Sequence, residues 1–379
     1  MLSLHMHDVG KLPLMDFAGR LHSLQQAVER LKFDTLLISH PPNIRYLCGF
    51  TGSAAALLVT SAGSVFFTDG RYSQQAHDEV RGVKIVIARK APLVAAAEWQ
   101  ARRWRSAKIR HRRSIGVEGE YLTVAARKRL AGLLPRHSQL REAPPVVEQA
   151  RMVKDADEIA SIHAAVAAGA RLFDRALQVI KPGVSEIEVA AEMEYAARKA
   201  GAEAMSFETI IASGVRSALP HGRASAAPIP TQGFVVCDFG VILHGYCSDR
   251  TRTVWVGSAS TEARGVYDAV LEAQQAAIDA VQPGVRVGQV DHAARKVLQK
   301  HGLAKHFTHS TGHGVGLEIH EAPRVAKGQQ EILRPGMVIT IEPGVYLQDK
   351  WGVRIEDMVV VTEHGCEVLA PNQKEFIVI

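Results

Sequence analysis

The chain has 379 residues and a formal net charge of +6, with 47% hydrophobic and 22% charged residues. This length exceeds what one ordinary hydrophobic core accommodates, so two domains are expected, and the composition is that of a soluble globular protein, not a disordered one. No apolar run approaches the roughly 20 residues that a membrane helix needs, so no membrane partner is predicted.

The N-terminal segment lacks a basic stretch followed by an apolar core, so we predict no signal peptide. Four cysteines without CxxC spacing or the density of a disulfide scaffold favour a reducing, cytoplasmic setting. Much of the positive charge lies in one run, residues 102–113. No nucleic-acid-binding module surrounds this run, so we interpret it as a solvated helix face and loop and predict no nucleic-acid partner.

Residues before about 150 alternate between helix-like and strand-like segments. The first apolar helix face is marked by Leu21, Leu24, Val28 and Leu31. The predicted strands are Thr35–Ser39, Ala54–Thr60, Ser64–Thr68, Val83–Ala88 and Ser114–Glu118. The predicted helices are Tyr72–Val80, Pro92–Trp104 and Thr123–Leu134. This alternation predicts a compact α/β domain over residues 1–148.

The second domain is predicted over residues 149–379, because Ala143-Pro144-Pro145 punctuates the end of the first. Its first helix is expected to start near Asp155, whose carboxylate can cap the first turn. Asp157 and Glu158 lie in that same turn, where acidic side chains complement the helix dipole.

An internal repeat runs through the second domain. The sequence VIKPGV at 179–184 recurs as AVQPGV at 280–285. Each copy is followed by a helix, then by a Gly-Val pair and a histidine, and then by a predicted strand pair that carries two carboxylates. Such a duplication predicts two helix–hairpin units related by pseudo-twofold symmetry, which would bring both carboxylate pairs around one axis.

Four acids stand at the ends of these predicted strands, namely Asp238, Asp249, Glu342 and Glu356. Taken alone, each is most simply explained as a turn residue or as part of a surface ion pair. Strand periodicity puts Arg354 on the same face as Glu356, so Arg354 is expected to orient a ligand carboxylate. If the four acids converge, two divalent cations would balance their charge, whereas uncompensated buried carboxylates would repel one another.

The segment 311–321 adds two imidazoles among glycines that allow close approach of the backbone. We assign His313 to metal binding and His320 to contact with substrate or transition state. His221 is the counterpart of His320 in the first repeat.

Carboxylate ligands with one imidazole suit Mn²⁺, Co²⁺, Fe²⁺ or Zn²⁺ better than a thiolate-bound structural zinc site. Two such ions can activate water near neutral pH and polarise a carbonyl, so hydrolysis is the predicted reaction. Phosphoesterases and amide hydrolases both use such centres, and the residues alone leave the scissile bond open.

Several motifs together carry a resemblance to a known family. They are Asn43–Ser53, Thr68–Tyr72, Asp238–Gly240, Gly245–Asp249, Thr251–Thr253, His313–Leu317, His320–Glu321, Ile341–Gly344 and Val353–Asp357. With them the chain resembles the pita-bread metallopeptidases of family M24 over nearly its full length. Within that family it is similar to the proline-specific branch, Xaa-Pro aminopeptidase (aminopeptidase P) and Xaa-Pro dipeptidase (prolidase).

The resemblance implies an α/β N-terminal domain of the creatinase type, followed by an α+β pita-bread catalytic domain with an internal pseudo-twofold repeat. It implies two divalent metal ions per subunit, with Mn²⁺ preferred and Co²⁺ or Zn²⁺ as alternatives. Asp238 would chelate one ion, His313 the other, and Asp249 and Glu356 would bridge both. Glu342 would bind metal and move a proton from water to the leaving proline nitrogen.

By the same resemblance, His221 and His320 would hold the scissile carbonyl and its developing oxyanion, and Arg354 completes the predicted catalytic set. Proline-containing peptides are the implied substrates, because the imide lacks an N–H and restricts φ, which calls for a dedicated pocket. The resemblance also implies a homodimer.

The leading hypothesis from sequence is an aminopeptidase P-like enzyme that releases the residue before proline from peptides with proline second. The motif Phe50–Ser53 favours it over the alternative, an Xaa-Pro dipeptidase. A creatinase-like amidinohydrolase works without metal, and the presence of all five ligands argues against it. The same ligands and both histidines argue against a catalytically silent binding module.

Overall fold

A computed structural model describes residues 15–106, 112–369 and 374–379. The chain forms two compact units, residues 15–151 and residues 152–379. The domain boundary predicted from sequence, after residue 148, falls inside a helix of the first unit that spans Val146–Arg151. Of the basic run at 102–113, residues 107–111 lie outside the described part of the chain.

The first unit alternates helices and strands. In chain order its elements are α1 (Phe17–Arg30), β1 (Thr35–Ile38), α2 (Pro41–Cys48), β2 (Ala55–Thr60), β3 (Gly63–Asp69), a 3-10 turn (Gly70–Tyr72), α3 (Ser73–Glu79), β4 (Lys84–Ala88), α4 (Pro92–Ser106), β5 (Arg113–Glu118), α5 (Val124–Leu133), β6 (Ser138–Ala143) and α6 (Val146–Arg151). The strands make one six-stranded sheet in the order β4-β3-β2-β1-β5-β6. Only β2 runs antiparallel to both of its neighbours.

The buried residues of this unit follow the predicted periodicity. Leu21, Leu24 and Val28 are buried on one face of α1, and all four residues of β1 are buried because helices cover both faces of a largely parallel sheet. At α4, the side chain of Trp104 is buried while Arg102 and Arg103 are exposed. The described basic side chains of this helix therefore lie on a solvated face.

The sequence missed three elements of the first unit, α2, β6 and α6. Helix α2 has only eight residues, opens with proline at its first position and ends at Gly49 in the left-handed region. A helix this short does not repeat its apolar positions often enough to show periodicity. Helix α6 begins directly after the two prolines that mark the end of the predicted domain, since proline is tolerated before and at the start of a helix.

The second unit consists of two helix pairs and a series of mostly short strands. Its elements are α7 (Ala156–Val179), α8 (Glu186–Lys199), β7 (Ala204–Met205), β8 (Ile210–Ser213), a 3-10 helix (Gly214–Ala218), β9 (Gly233–Phe239), β10 (Val241–Leu243), β11 (Tyr246–Cys247), β12 (Arg250–Val256), α9 (Thr261–Asp279), α10 (Val287–Lys300), a 3-10 helix (Ala304–His306), β13 (Gly312–Gly314), β14 (Glu321–Val325), β15 (Val338–Ile341), β16 (Gly344–Leu347), β17 (Trp351–Arg354), β18 (Asp357–Val361) and β19 (Cys366–Val368). Asp155 and Glu158 form a capping box at the start of α7, at the predicted N-cap.

The predicted repeat is present in the backbone of this unit. The VIKPGV and AVQPGV segments connect α7 to α8 and α9 to α10. Gly183 and Gly284 adopt φ values of 87° and 85°, a region that glycine enters without strain. Their amides donate to the carbonyl oxygens of Ile229 and Leu333, at 2.9 and 2.8 Å. The two halves therefore make the same turn and anchor it in the same way.

The strands repeat as well. The first half forms the order β8-β9-β12, and the second half contains the order β13-β15-β18 within a five-stranded sheet. In both halves each neighbouring pair is antiparallel. The predicted pita-bread fold with its pseudo-twofold repeat is confirmed.

Each half has its own hydrophobic core. One core packs α7 and α8 against β9 and β12, and the other packs α9 and α10 against β15 and β18. Between them the strands carry the polar residues described below. Among the described residues, no helix has both the length and the apolar character needed to cross a membrane.

Candidate active site

A cavity of about 850 Å³ in the second unit collects the predicted site residues. Its volume lies within the range of pockets that bind small ligands. The predicted residues that line it are His221, Asp238, Asp249, His313, His320, Glu342, Arg354 and Glu356.

Asp238 and Asp249 come from neighbouring antiparallel strands of the first half. Asp238 is the last residue but one of β9 and lies opposite Thr251 of β12. Opposed residues share one face of an antiparallel sheet. Asp249 stands just before β12, two residues from Thr251, so strand alternation directs both carboxylates to that face.

Glu342 and Glu356 occupy the equivalent places in the second half. Glu342 directly follows β15 and Glu356 directly precedes β18, and the adjoining strand ends are paired. The hydroxyl of Thr251 donates to Glu356 Oε2 at 2.7 Å. This hydrogen bond joins the two halves of the repeat at the site.

His313 presents one ring nitrogen to the acids. Its Nδ1 lies 3.0 Å from the carbonyl oxygen of Gly314, an arrangement that keeps the proton on Nδ1 and turns Nε2 inward. Nε2 lies 3.5 Å from Asp249 Oδ2 and 3.6 Å from Glu342 Oε1. Ligand atoms of Asp249, His313 and Glu356 all lie within 4.8 Å of one another. The donors therefore converge on one region, as a metal centre requires.

The carboxylates of the site have fewer hydrogen-bond donors nearby than their oxygens could accept. Oδ1 of Asp238 and Oδ1 of Asp249 are buried without a hydrogen-bond partner in the described chain. Burial raises the pKa of Asp249 to about 6 and that of Glu342 to about 7. Burial and the neighbouring carboxylates also raise the pKa of Glu356. Divalent cations fit this donor set, because they would coordinate the unpartnered oxygens and offset the repulsion.

Burial by itself would lower the pKa of His313. The hydrogen bond and charge of Asp249, with the charge of Glu342, outweigh that effect and raise the pKa of His313 to about 9. In the metal-free protein, the protonated imidazole of His313 therefore supplies a positive charge among the acids.

Arg354 binds Asp238 and not the expected Glu356. Its NH2 donates to Asp238 Oδ2 at 2.5 Å, and its Nε donates to the hydroxyl of Thr251 at 3.1 Å. Arg354 thus reaches Glu356 only through Thr251. β17 ends at Arg354 and a new strand begins at Asp357, so the strand alternation that would place both side chains on one face is interrupted between them.

A chain of hydrogen bonds extends from Arg354 to two residues that the sequence did not single out, Tyr346 and His309. Arg354 NH1 donates to the Tyr346 hydroxyl at 2.6 Å, which lies 2.9 Å from His309 Nε2. Because arginine only donates, the hydroxyl proton goes to His309 Nε2, and His309 Nδ1 donates to the carbonyl of Ser310. Burial lowers the pKa of His309 to about 4, so this imidazole is neutral.

Tyr346 carried one sequence signal, since it follows Glu342-Pro343-Gly344 in the same predicted strand pair. His309 carried none, because it precedes the glycine-rich histidine segment and shares no motif with it. Their pairing depends on the tertiary structure alone.

His221 and His320 approach the site from two different loops. The rings of His320 and His313 have centroids 4.4 Å apart at an interplanar angle of 73°. His221 follows Pro220, whose carbonyl oxygen accepts from Arg354 NH1 at 3.1 Å. The guanidinium that binds a site carboxylate therefore also holds the His221 loop.

Glu186, in the first turn of α8, clamps the His221 loop from the other side. Its side chain is fully buried. The carboxylate accepts hydrogen bonds from the amide and hydroxyl of Ser213, from Nε of Arg216, and from the amide and hydroxyl of Ser225, at 2.7 to 3.2 Å. These donors lie on both sides of His221 in sequence, so one carboxylate closes the loop.

A second ionic network supports Glu356 from behind. Asp357 accepts from Arg252 NH2 at 2.6 Å and from Lys374 Nζ at 2.8 Å, and Gln274 donates to it at 2.9 Å. Burial would raise the pKa of Asp357, but the two cations hold that pKa below its ordinary value. Arg252 NH1 also donates to the backbone carbonyl of Glu356 at 2.5 Å. The backbone on either side of the Glu356 side chain is therefore fixed.

Comparison with known proteins agrees with this fold. Residues 160–363 match metallopeptidase family M24, and residues 20–153 match the creatinase/prolidase N-terminal domain. The chain belongs to metallopeptidase family M24, as its sequence motifs predicted.

Three relatives show the extent of the similarity. The Xaa-Pro dipeptidase of Pyrococcus furiosus is 35% identical over 94% of this chain and 99% of its own. The structure of the Xaa-Pro dipeptidase from Bacillus anthracis has a TM-score of 0.90 and 36% identity, covering 96% of this chain and 100% of its own. The X-Pro aminopeptidase structure from Thermotoga maritima has a TM-score of 0.84 and 35% identity, covering 93% of this chain and 100% of its own.

The metal-free protein should lose stability as the pH rises. Asp249, Glu342 and Glu356 hold protons more tightly in the folded protein than in the unfolded chain, where carboxyls titrate near pH 4. Their stabilising contribution is therefore complete below about pH 4 and is lost as the pH rises through about 6 and 7. His313 acts in the same direction up to about 9.

Urea unfolding of the chelator-treated protein at about pH 5 and about pH 8 measures this change. Saturating Mn²⁺ should remove most of the decline, because a cation stabilises the ionised carboxylates. A metal-free protein that becomes more stable over the interval would contradict the prediction.

Replacing Glu186 with Gln should lower the free energy of unfolding by about 2–4 kcal/mol, because an amide can accept at only one atom and leaves buried donors unsatisfied. Chemical denaturation of the metal-loaded protein provides the measurement. Glu188→Gln is the matched control in the same helical turn. It should change stability by less than about 0.5 kcal/mol, since a capping box accepts Gln at that position.

Proposed function

We propose that this protein is a dinuclear-metal Xaa-Pro dipeptidase. The observation that supports the metal chemistry most directly is the convergence of Asp249, His313 and Glu356 beside buried carboxylate oxygens that have no other partner in the described chain. The names of two of the three relatives above support the dipeptidase assignment.

In this proposal the metal ligands are Asp238, Asp249, His313, Glu342 and Glu356. Asp238 and His313 would each hold one ion, and Asp249 and Glu356 would contribute to holding both. Mn²⁺ is the proposed metal, with Co²⁺ and Zn²⁺ as alternatives, because hard carboxylate oxygens dominate the donor set. When bound, the ions supply positive charge that makes water a stronger acid and polarises the scissile carbonyl.

The protein groups then handle the proton and the developing charge. Glu342 takes a proton from the attacking water and delivers it to the proline nitrogen as the C–N bond breaks. His221 and His320 hold the scissile carbonyl oxygen as it becomes negatively charged. Arg354 donates hydrogen bonds to Asp238 and to the Pro220 carbonyl, and it thereby positions the proposed metal ligand Asp238 relative to the loop that carries His221.

Arg324 supports a dipeptide substrate. It lies opposite His313 in the β13–β14 pair, so its side chain leaves the same face of the sheet, and it lines the cavity. Arg223, also at the cavity, is paired with Glu208 at 2.9 Å, whereas Arg324 has no ion pair within the described residues. We propose that Arg324 binds the carboxylate that a dipeptide carries directly on its proline.

The aminopeptidase P-like hypothesis from the sequence has less support than the dipeptidase, although an X-Pro aminopeptidase is among the similar structures. It rested on the short motif Phe50–Ser53 of the N-terminal domain, outside the residues that line the cavity. A homodimer in the cytoplasm remains part of the proposal, and light scattering of the purified protein tests the dimer.

Metal-stripped protein reloaded with Mn²⁺, Co²⁺ or Zn²⁺ should hydrolyse Ala-Pro with a kcat/KM at least about tenfold above that for Ala-Pro-Ala, because only the dipeptide brings its carboxylate to the cavity wall. Ala-Ala is the control for proline selectivity. Preferential release of alanine from the tripeptide would restore the aminopeptidase hypothesis, and no cleavage of any Xaa-Pro bond would refute the proposed activity.

Replacing Arg324 with Gln should raise KM for Ala-Pro about 10- to 100-fold, the equivalent of one charge-assisted contact, with a smaller change in kcat. Ala-Pro amide, which has no carboxylate, provides the internal control and should be affected less than about threefold. An equal loss on acid and amide would show that Arg324 does not bind the carboxylate.

A further inference from the structure

Lys154 and Glu321 form a buried ion pair beside the site. Nζ of Lys154 lies 3.2 Å from Oε2 of Glu321, and the two side chains are only 1% and 6% exposed. Glu321 lines the cavity and directly follows His320, while Lys154 lies more than 160 residues earlier in the chain. A buried pair of this kind adds little net stability compared with apolar side chains, so its location calls for another explanation.

The backbone of Lys154 is fixed before its side chain reaches the site. Its amide donates to the carbonyl of Gly336 at 2.9 Å, and the preceding residue, Val153, makes a β-bridge with Met337. These contacts attach Lys154 next to the start of β15, the strand that Glu342 directly follows. The backbone that carries the cation is thus fixed at two consecutive residues.

Glu321 in turn shapes the loop that carries His320. Its Oε1 accepts from the backbone amide of Glu318 at 3.0 Å, which closes the turn between β13 and β14. A Cβ at Gly316 would come within 2.7 Å of the carboxylate, so the backbone folds directly over it. The Gly316 carbonyl accepts from the amide of Cys247 at 2.8 Å, which attaches the turn to β11.

We infer that Lys154 is a positioning residue for His320: its cation holds the Glu321 carboxylate, which closes the turn and sets the His320 ring beside His313. The cation also compensates a carboxylate at the cavity wall that would otherwise add a negative charge beside the four ligand acids. This inference rests on the proposed role of His320 at the substrate carbonyl.

The strictly structural alternative makes a different prediction. If the pair served only global stability, its loss would lower the unfolding temperature without a selective effect on turnover. If it positions His320, its loss disorders the turn at residues 315–321 and lowers kcat, because misplacement of a transition-state contact by about 1 Å can reduce the rate about 100-fold. Metal content should stay unchanged, since none of the proposed metal ligands lies in this turn.

Lys154→Met removes the charge and keeps most of the apolar stem. Hydrogen exchange by mass spectrometry should show faster exchange of the backbone amides at 315–321. With Mn²⁺-loaded protein and Ala-Pro, kcat should fall about 10- to 100-fold while KM changes less than about threefold. Native kcat with native exchange in the turn would overturn the inference.

Two further variants guard against simple misfolding. The double variant Lys154→Met/Glu321→Gln removes the uncompensated charge, so it should recover thermal stability but not kcat; full recovery of kcat would reject positioning. Lys350→Met is the matched control. It breaks the exposed pair with Glu262, whose side chains are 54% and 59% exposed, and should leave exchange and kcat unchanged.

The exchange measurement needs no substrate, so it separates this inference from the proposed function. If the wild-type protein cleaves no Xaa-Pro peptide, the proposed function fails. The response of the turn to Lys154→Met still tests whether the Lys154–Glu321 ion pair holds the turn. If the wild-type protein is active and the turn does not respond, the inference alone fails.

Discussion

The mutual repulsion of four carboxylates, three of them buried and that of Glu342 partly buried, is the constraint on which the rest of the second unit depends. Asp238, Asp249, Glu342 and Glu356 meet at the wall of one cavity, and burial raises the pKa of three of them. Such groups stay together only if their backbones are held firmly and if positive charge is available nearby. In family M24, divalent cations bound at the site meet this need for positive charge.

The surrounding structure provides that firmness through ion pairs. Arg354 forms an ion pair with Asp238. Arg252 fixes the backbone at Glu356, because it donates to the Glu356 carbonyl and forms an ion pair with the neighbouring Asp357. Removal of one partner from such a buried pair leaves an uncompensated charge, which is far costlier than replacement of both. The geometry of the four acids therefore depends on these two arginines as well as on the acids themselves.

Helix-borne carboxylates hold the loops of the site in both halves of the repeat. Glu186 of α8 closes the loop that carries His221. In α10, Asp291 accepts from the hydroxyl of Thr311, and its partner Arg295 donates to the carbonyl of His309. The duplicated fold thus supplies two acid pairs, and in each half a helix carboxylate also braces a loop of the site.

Much of the fold could be predicted because it depends on local signals. The helices and strands of the first unit followed from periodicity, except for β6 and for α2 and α6, which were too short to show it. The repeat in sequence indicated the duplicated topology, and glycines with matching positive φ values, Gly183 and Gly284, confirm the equivalence of its turns. The convergence of the four acids was predictable from that symmetry, although no single acid was informative alone.

The sequence by itself determined the order of the elements, the repeat, the family and the candidate ligands, because each depends on residues close together in the chain or on an order of motifs. Only the tertiary structure decided which carboxylate Arg354 binds, that Tyr346 and His309 extend its hydrogen bonds, and that Lys154 meets Glu321. These contacts join residues on separate strands or loops, some of them far apart in sequence. The distances between these side chains depend on where strands end and how loops close. Strand alternation and residue spacing in the sequence do not determine either.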